Sequence, residues 1–194
     1  MTALLHDARA AALQTAWARL AIGTLADAGI THAVASPGSR STPLRLALRD
    51  EPRIATIDLI DERDAAYFAL GVGRATGRPA VVLSTSGTAV ANHLPAVVEA
   101  GAARVPLLLL TADRPPGLVE SGANQTIDQL KLFGDHARAF VDLGVPDARP
   151  DALRGLRRAI ARAVFTARDP APGAVHLNAR LWKPLEPPVV DGAG

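Results

Sequence analysis

The 194-residue sequence contains no cysteine, which excludes disulfide bonds, thiolate nucleophiles and cysteine-ligated metal sites. Aromatic residues make up only 4% of the chain and none is interleaved with a cluster of lysine and arginine, so a nucleic-acid partner is not expected. The apolar runs are too short to span a bilayer, and the N-terminus lacks the basic and apolar regions of a signal peptide. These absences favour a cytoplasmic protein with neither membrane nor nucleic-acid partners.

Short β-rich apolar runs alternate with amphipathic helical segments along most of the chain. The strands are predicted at residues 32–35, 54–59, 80–84, 106–111, 137–143 and 173–177. The helices are predicted at residues 9–28, 42–50, 62 to between 71 and 77, 88–101 and 151–168. This alternation predicts an α/β fold, doubly wound, with a parallel sheet of about six strands and helices on both faces.

The division of the chain follows from its proline and glycine content. Residues 1–183 are predicted to form one α/β domain, and the proline-rich stretch 184–194 is predicted to be a linker toward a middle domain that is missing here. A loop-like segment, residues 113–134, crowds glycine, proline, asparagine and glutamine together. Loops of this length in compact domains are more often functional than idle, so we expect it to contribute to a site.

The segment Ser36–Pro43 follows the first predicted strand directly. Its small residues leave backbone N–H groups accessible, and the next helix directs its positive N-terminus toward them. Arg40 adds a guanidinium group that can bind a carboxylate bidentately. The segment therefore fits an anion-binding loop. It also fits an ordinary helix start, with Ser41 or Thr42 as the N-cap residue.

Two further polar turns follow predicted strands at the same edge of the sheet. In Thr85–Asn92, Gly87 would let a ligand approach the backbone, although Ser86 or Thr88 could instead simply cap the helix. The frame of a nucleophile elbow is absent from this turn.

The other polar turn continues into the long loop. Arg114 is followed by two prolines, and Asn124 and Gln125 could either bind a polar ligand or brace the loop.

An acidic turn, Asp61-Glu62-Arg63, connects the strand 54–59 to the helix that follows. Ligands of open α/β sheets bind at the carboxyl ends of the strands. A half-buried Glu62 at that edge could hold a hydrogen bond to a cofactor nitrogen, which makes it the first candidate for a catalytic residue. The five histidines show no spacing typical of a metal site and are interpreted as surface or core residues.

Five segments in order resemble one known family, the 2-succinyl-5-enolpyruvyl-6-hydroxy-3-cyclohexene-1-carboxylate synthases of menaquinone biosynthesis. The resemblance is to their N-terminal domain and covers about residues 10 to 185. The segments that carry it are Ser36–Pro43, Asp61–Arg63, Thr85–Asn92, Leu110–Pro116 and Gly122–Gln125.

The resemblance implies a thiamine-diphosphate enzyme that also needs Mg²⁺ or Mn²⁺. Such enzymes decarboxylate 2-oxoglutarate and add the resulting carbanion equivalent to isochorismate. Their N-terminal domain binds the aminopyrimidine of the cofactor, and a separate C-terminal domain holds the diphosphate and the metal. Because the diphosphate-binding domain at each active site comes from a second subunit, the resemblance also implies a homo-oligomer, at least a dimer.

The resemblance assigns roles to nine residues. Glu62 corresponds to the catalytic glutamate that bonds the pyrimidine N1′, with Ser86, Gly87 and Asn92 as further cofactor-binding residues. The substrate-binding set is Ser39, Arg40, Arg114, Asn124 and Gln125.

No metal ligand is assigned in this chain. Gly134-Asp135 lacks the asparagine pair of the family's metal signature, so the chain alone is expected to be inactive. Two alternatives remain: a domain of a thiamine-diphosphate enzyme of the acetolactate-synthase type, and a non-catalytic anion-binding module.

Overall fold

The structure is a computed structural model that describes residues 2–188, with side chains from residue 7 onward. Its strands are β1 (His32–Ala35), β2 (Ala55–Asp58), β3 (Ala80–Ser84), β4 (Leu107–Asp113), β5 (Ala139–Asp142) and β6 (Ala174–Arg180). Its α-helices are α1 (Thr2–Asp27), α2 (Thr42–Arg49), α3 (Glu62–Thr76), α4 (Thr88–Ala91), α5 (Leu94–Ala103) and α6 (Pro150–Arg168).

All six strands pair in parallel in the order β2-β1-β3-β4-β6-β5. The predicted fold class is therefore confirmed. The chain first runs outward from β1 to β2 and then crosses to β3 on the other side of β1. Such a reversal of winding opens a crevice at the carboxyl ends of the central strands, where α/β proteins bind ligands.

The sheet separates two apolar cores because successive side chains of a strand point to opposite faces. Leu83 and Leu110 pack with α1, α2 and α6 on one face. Val82 and Leu109 pack with α3 and α5 on the other. Both β3 and β4 are buried along their whole length, as the continuous apolar runs of a doubly covered parallel sheet require.

The segment predicted as one helix, residues 88–101, is two helices in the structure. The break lies at Asn92 and His93, between α4 and α5. Pro95 occupies the first turn of α5, where its missing N–H costs nothing, but it could not donate to Ala91 if α4 continued. The prediction of a continuous helix was wrong because it ignored this proline.

Two strands are longer than predicted. β4 continues to Asp113 and β6 to Arg180, and these two residues are partners in the sheet register. The polar residues at the ends of both strands are hydrogen-bonded to one another inside the protein, so the strands can continue past their apolar runs.

The predicted linker begins inside the packed domain. The Pro184 carbonyl accepts a hydrogen bond of 2.5 Å from Gln14 Nε2 on α1, and Leu185 is buried. The first two residues of the predicted linker therefore pack against the domain, and positions 189–194 lie outside the described residues. Within residues 2–188, no helix combines the length and apolar character that crossing a membrane demands.

Candidate active site

A cavity of about 490 Å³ lies where the loops after β1, β3, β4 and β6 meet. All five residues predicted to bind substrate line it, namely Ser39, Arg40, Arg114, Asn124 and Gln125. Six residues to which the sequence assigned no role form the remaining wall: Thr85, Leu118, Ala123, Trp182, Lys183 and Leu185. The cavity therefore combines three cationic side chains with an apolar surface.

Close packing of two loops fixes the position of Arg40. A Cβ atom on Gly38 would lie 2.3 Å from Thr85 Cβ, so only glycine allows the loop after β1 to meet the loop after β3. Arg40 follows in a short 3₁₀ turn and is only 8% exposed. Its Nη1 donates to the Leu181 carbonyl at 2.8 Å, whereas its buried Nε has no partner among the described residues.

The N-cap residues of α2 and α4 make no side-chain capping hydrogen bond. Ser41 occupies the N-cap position of α2, but its hydroxyl donates to the Gly38 carbonyl at 2.9 Å instead of accepting from the helix. At α4 the N-cap position belongs to Gly87, and no side chain caps that helix. The serines and threonines of both turns therefore brace the loops or stay free for a ligand.

Arg114 approaches the cavity from the end of β4 and is also 8% exposed. Its Nη1 donates to Ser86 Oγ. Burial lowers the pKa of Arg114, and burial together with the charge of Arg114 lowers the pKa of Arg40. Two mostly buried arginines that repel each other are stabilised by an anion placed between them.

The long loop folds back over the turn after β3. The Gln125 side chain donates from Nε2 to the Ser86 carbonyl at 3.1 Å, so this amide braces the loop. A Cβ atom on Gly87, whose φ is +81°, would lie 2.9 Å from Gln125. Gln125 therefore packs against Gly87 at a distance that no other residue type would permit.

Glu62 lies apart from this cavity, at the first position of α3. Asp61 is the N-cap residue, and its carboxylate accepts from the N–H groups of Arg63 and Asp64 at 2.8 and 3.2 Å. Glu62 is half-buried, and its Oε2 accepts from Asn92 Nδ2 at 3.0 Å. The break between α4 and α5 is what brings Asn92 to this carboxylate.

His93, interpreted from the sequence as a surface or core residue, is fully buried beside Glu62. Its Nδ1 lies 3.2 Å from the Glu62 carbonyl and its Nε2 lies 2.8 Å from Ser84 Oγ. Because a carbonyl can only accept, Nδ1 carries the hydrogen and Ser84 donates to Nε2. Burial lowers the pKa of His93 to about 4, so the ring is neutral and links the start of α3 to the end of β3.

A buried polar cluster beneath the cavity was not predicted from the sequence. It comprises Thr111, Asp113, Gln129, His176, Asn178 and Arg180. Arg180 pairs with Asp113 at 3.3 Å and with Asp142 at 2.8 Å. The local signal for the cluster was weak: three polar residues, His176, Asn178 and Arg180, alternate with apolar residues along β6. Across residues 7–188, no three acidic or histidine side chains converge in a way that would hold a metal ion.

Residues 16–132 match the family described as "Thiamine pyrophosphate enzyme, N-terminal TPP binding domain". The chain belongs to this family. The parallel α/β sheet is consistent with this family, and the matched residues contain β1 to β4. They also include Arg40, Glu62, Arg114 and Gln125.

Three relatives of this chain from different organisms carry the same name. The chain is 53% identical over 182 residues to the 2-succinyl-5-enolpyruvyl-6-hydroxy-3-cyclohexene-1-carboxylate synthase of Sorangium cellulosum, which covers 94% of this chain and 29% of that protein. It is 56% identical over 173 residues to the enzyme of that name from Halorubrum lacusprofundi, covering 89% of this chain and 28% of the relative. It is 49% identical over 175 residues to the enzyme of that name from Microcystis aeruginosa, and the aligned region covers 90% of this chain and 31% of the relative. The chain thus spans about three tenths of the length of these curated relatives.

Proposed function

We propose that the chain supplies the pyrimidine-binding part of the active site of a 2-succinyl-5-enolpyruvyl-6-hydroxy-3-cyclohexene-1-carboxylate synthase. That enzyme would decarboxylate 2-oxoglutarate and add the four-carbon unit to isochorismate in menaquinone biosynthesis. The observation that carries the proposal is the convergence of Arg40 and Arg114, both mostly buried, on one cavity at the sheet edge where Glu62 also lies. The name shared by the relatives supports it.

Glu62 fits the part of the cofactor assigned to this domain. One of its carboxylate oxygens accepts from Asn92, and the other has no hydrogen-bond partner among the described residues. The free oxygen can therefore face a protonated ring nitrogen, N1′ of an aminopyrimidine. When bound, thiamine diphosphate supplies the nucleophilic carbon and the electron sink for decarboxylation.

The carboxylate of Glu62 holds a proton at N1′ through a charge-assisted hydrogen bond, which an amide could not stabilise to the same degree. Asn92 orients the carboxylate, and Asp61 fixes the first turn of α3 from which Glu62 projects. We propose Ser86 and Gly87 as the neighbouring cofactor-binding positions. The Ser86 hydroxyl already accepts from Arg114 and the Gly87 N–H already donates to Gln129, so these two residues would contact the cofactor through other atoms.

The arginines suit the charge of both substrates. 2-Oxoglutarate and isochorismate each carry two carboxylates, and planar guanidinium groups bind carboxylates bidentately. Ser39 and Asn124 add hydrogen-bonding groups at the rim of the cavity, and Trp182 and Leu185 add an apolar wall. Such a mixture orients a small dianion and excludes water from it.

The remaining parts of the enzyme belong to residues outside this chain. We propose that Mg²⁺ or Mn²⁺ and the diphosphate are held by a diphosphate-binding domain of a second subunit in a cytoplasmic homo-oligomer. The isolated chain would then be catalytically silent with both substrates, cofactor and metal present. Product formed by the purified 194-residue chain under these conditions would contradict this part of the proposal.

A substrate test on the native gene product separates the leading proposal from its alternatives. With thiamine diphosphate and Mg²⁺, we expect a condensation product from 2-oxoglutarate and isochorismate, detected by mass spectrometry, and none from pyruvate alone. Acetolactate formed from pyruvate would indicate the acetolactate-synthase type. A protein that binds 2-oxoglutarate, turns over neither set and keeps its affinity after Glu62→Gln would be a non-catalytic anion-binding module.

A further inference from the structure

A chain of buried hydrogen bonds runs beneath the cavity from the turn after β3 to the end of β4. The Gly87 N–H donates to Gln129 Oε1 at 2.9 Å. Gln129 Nε2 donates to Asn178 Oδ1 at 2.8 Å, and Asn178 Nδ2 donates to Asp113 Oδ2 at 2.9 Å. The residues Gln129, Asn178 and Asp113 are each at most 1% exposed.

Two further bonds close this chain into a ring. Asp113 Oδ1 accepts from the Arg114 backbone N–H at 2.7 Å. The Arg114 guanidinium then donates from Nη1 to Ser86 Oγ, and Ser86 precedes Gly87 in the sequence. The polar ring therefore consists of Ser86, Gly87, Gln129, Asn178, Asp113 and Arg114, and it ties together two walls of the cavity.

The partners fix the orientation of both amides in the polar ring. Gln129 faces the Gly87 N–H on one side and the Ala112 carbonyl, at 3.2 Å, on the other, so its oxygen and nitrogen cannot exchange places. Asn178 likewise must present Nδ2 to the Asp113 carboxylate. Because each amide serves as both acceptor and donor, neither can be replaced by an apolar side chain without leaving buried polar groups unpaired.

We propose that Gln129 and Asn178 are positioning residues that hold Arg114 in register with the Ser86–Gly87 turn and so set the affinity of the cavity for a substrate carboxylate. This inference rests on the proposed function. The Arg114 guanidinium makes one hydrogen bond to a described residue, to Ser86, and its other donors are left for a ligand. The direction of those donors depends on the polar ring. Asp113 holds the backbone N–H of Arg114, and Ser86 holds its guanidinium.

The first test compares Gln129→Met with Thr111→Val in the native gene product. Gln129→Met opens the polar ring while keeping side-chain length. Thr111 donates to Asn178 Oδ1 at 3.0 Å and contacts His176 at 2.7 Å, but lies outside the ring. We expect Gln129→Met to raise the KM for 2-oxoglutarate or isochorismate about tenfold with kcat within about twofold, and Thr111→Val to lower only the melting temperature.

A second variant covers the case in which Gln129→Met does not fold. Gln129→Glu keeps the acceptor for Gly87, and its protonated form restores a donor to Asn178. The ionisable residues of the polar ring and of the buried cluster around it are Asp113 and Arg114 at the end of β4 and His176 and Arg180 on β6. Burial raises the pKa of the new carboxyl, so we expect the ratio of variant to wild-type KM to fall toward one between pH 8.5 and pH 5.5.

Two results would overturn the inference: an unchanged KM in both Gln129 variants, or an equal rise in KM for Thr111→Val. Either can be told apart from failure of the proposed function, which would appear as no turnover by the wild type. Binding of 2-oxoglutarate, followed through the fluorescence of Trp182 in the cavity wall, measures the effect of the polar ring on affinity without any turnover. An affinity about tenfold weaker in Gln129→Met supports the inference, and an unchanged affinity contradicts it.

Discussion

At the edge of the sheet, side-chain hydrogen bonds hold Arg40, Arg114 and Gln125 in place. Arg40, Arg114 and Gln125 could be predicted from the sequence, because each lies in a polar turn directly after a strand or in the long loop. Gln129 and Asn178 could not, since their partners are 42 and 65 positions away in the sequence. Local patterns carry no information on pairs at that separation, and a buried asparagine is defined only by its tertiary partners.

The backbone at position 87 requires glycine, and Gly71 in the same chain provides a control position that does not. Gly87→Ala places a Cβ atom 2.9 Å from Gln125 at a φ of +81°, so we expect a loss of about 1–3 kcal/mol in the free energy of unfolding. Gly71, inside α3, has open space around its missing Cβ, and Gly71→Ala should add up to about 1 kcal/mol. Urea denaturation measures both. Equal effects of the two substitutions would show that the turn is not constrained.

Two buried histidines should make the domain sensitive to acid. Burial lowers the pKa of His93 to about 4 and that of His176 to about 3, from 6.5 in the unfolded chain. Below pH 6.5 the unfolded state therefore binds more protons, and stability falls as the pH is lowered toward 4. Each imidazole ring contributes a slope of up to about 1.4 kcal/mol of unfolding free energy per pH unit.

An NMR titration tests the burial of the two histidines. The ring signals of His93 and His176 should not shift between pH 8 and pH 5. A titration midpoint near pH 6.5 for either ring would contradict its burial.

At the scale of elements, the sequence predicted the type of nearly every helix and strand. β1 and β3 have the predicted bounds, because Gly, Pro and polar residues flank short apolar runs. The errors arose where a tertiary or backbone constraint competed with the pattern: Pro95 divided one helix, and buried pairing extended β4 and β6. The helix break matters for the site, since it brings Asn92 and His93 to Glu62.

The contribution of the Asp61 cap to the start of α3 can be tested by substitution. The Asp61 carboxylate accepts from two N–H groups of the first turn, so Asp61→Ala should cost about 1 kcal/mol of stability. Asp61→Ser retains an acceptor and should stay within a few tenths of a kcal/mol of the wild type. Thermal and urea unfolding of both variants would measure this difference. A neutral Asp61→Ala would mean that packing alone positions the first turn and Glu62.

For the molecule as a whole, composition and alternation predicted a doubly wound parallel sheet but not the strand order. β6 lies between β4 and β5, although β5 precedes it in the chain. Pairing between strands depends on which apolar faces fit, and the local pattern of β5 and β6 is compatible with either order. The order has a consequence for the site, because it places Asn178 and Arg180 beside the end of β4.

The packed C-terminal segment links the two ends of the described chain to the cavity. Gln14 on α1 donates to the Pro184 carbonyl and accepts from the Trp182 N–H at 3.0 Å, and Trp182 and Leu185 line the cavity. We expect Gln14→Leu to loosen this wall and weaken binding of 2-oxoglutarate several-fold, measured by titration calorimetry. Gln14→Glu retains the acceptor for Trp182 and should weaken binding less. Wild-type affinity in Gln14→Leu would show that the wall is held by Leu185 alone.

The central claim is that Glu62 acts on the cofactor while the arginine-lined cavity binds substrate. The most direct measurement is kcat for product formation from 2-oxoglutarate and isochorismate by the native gene product carrying Glu62→Gln, compared with Asp64→Asn on the same helical turn. We predict a fall of at least about 10²-fold for Glu62→Gln and wild-type turnover for Asp64→Asn. Turnover by Glu62→Gln equal to that of Asp64→Asn would contradict the account.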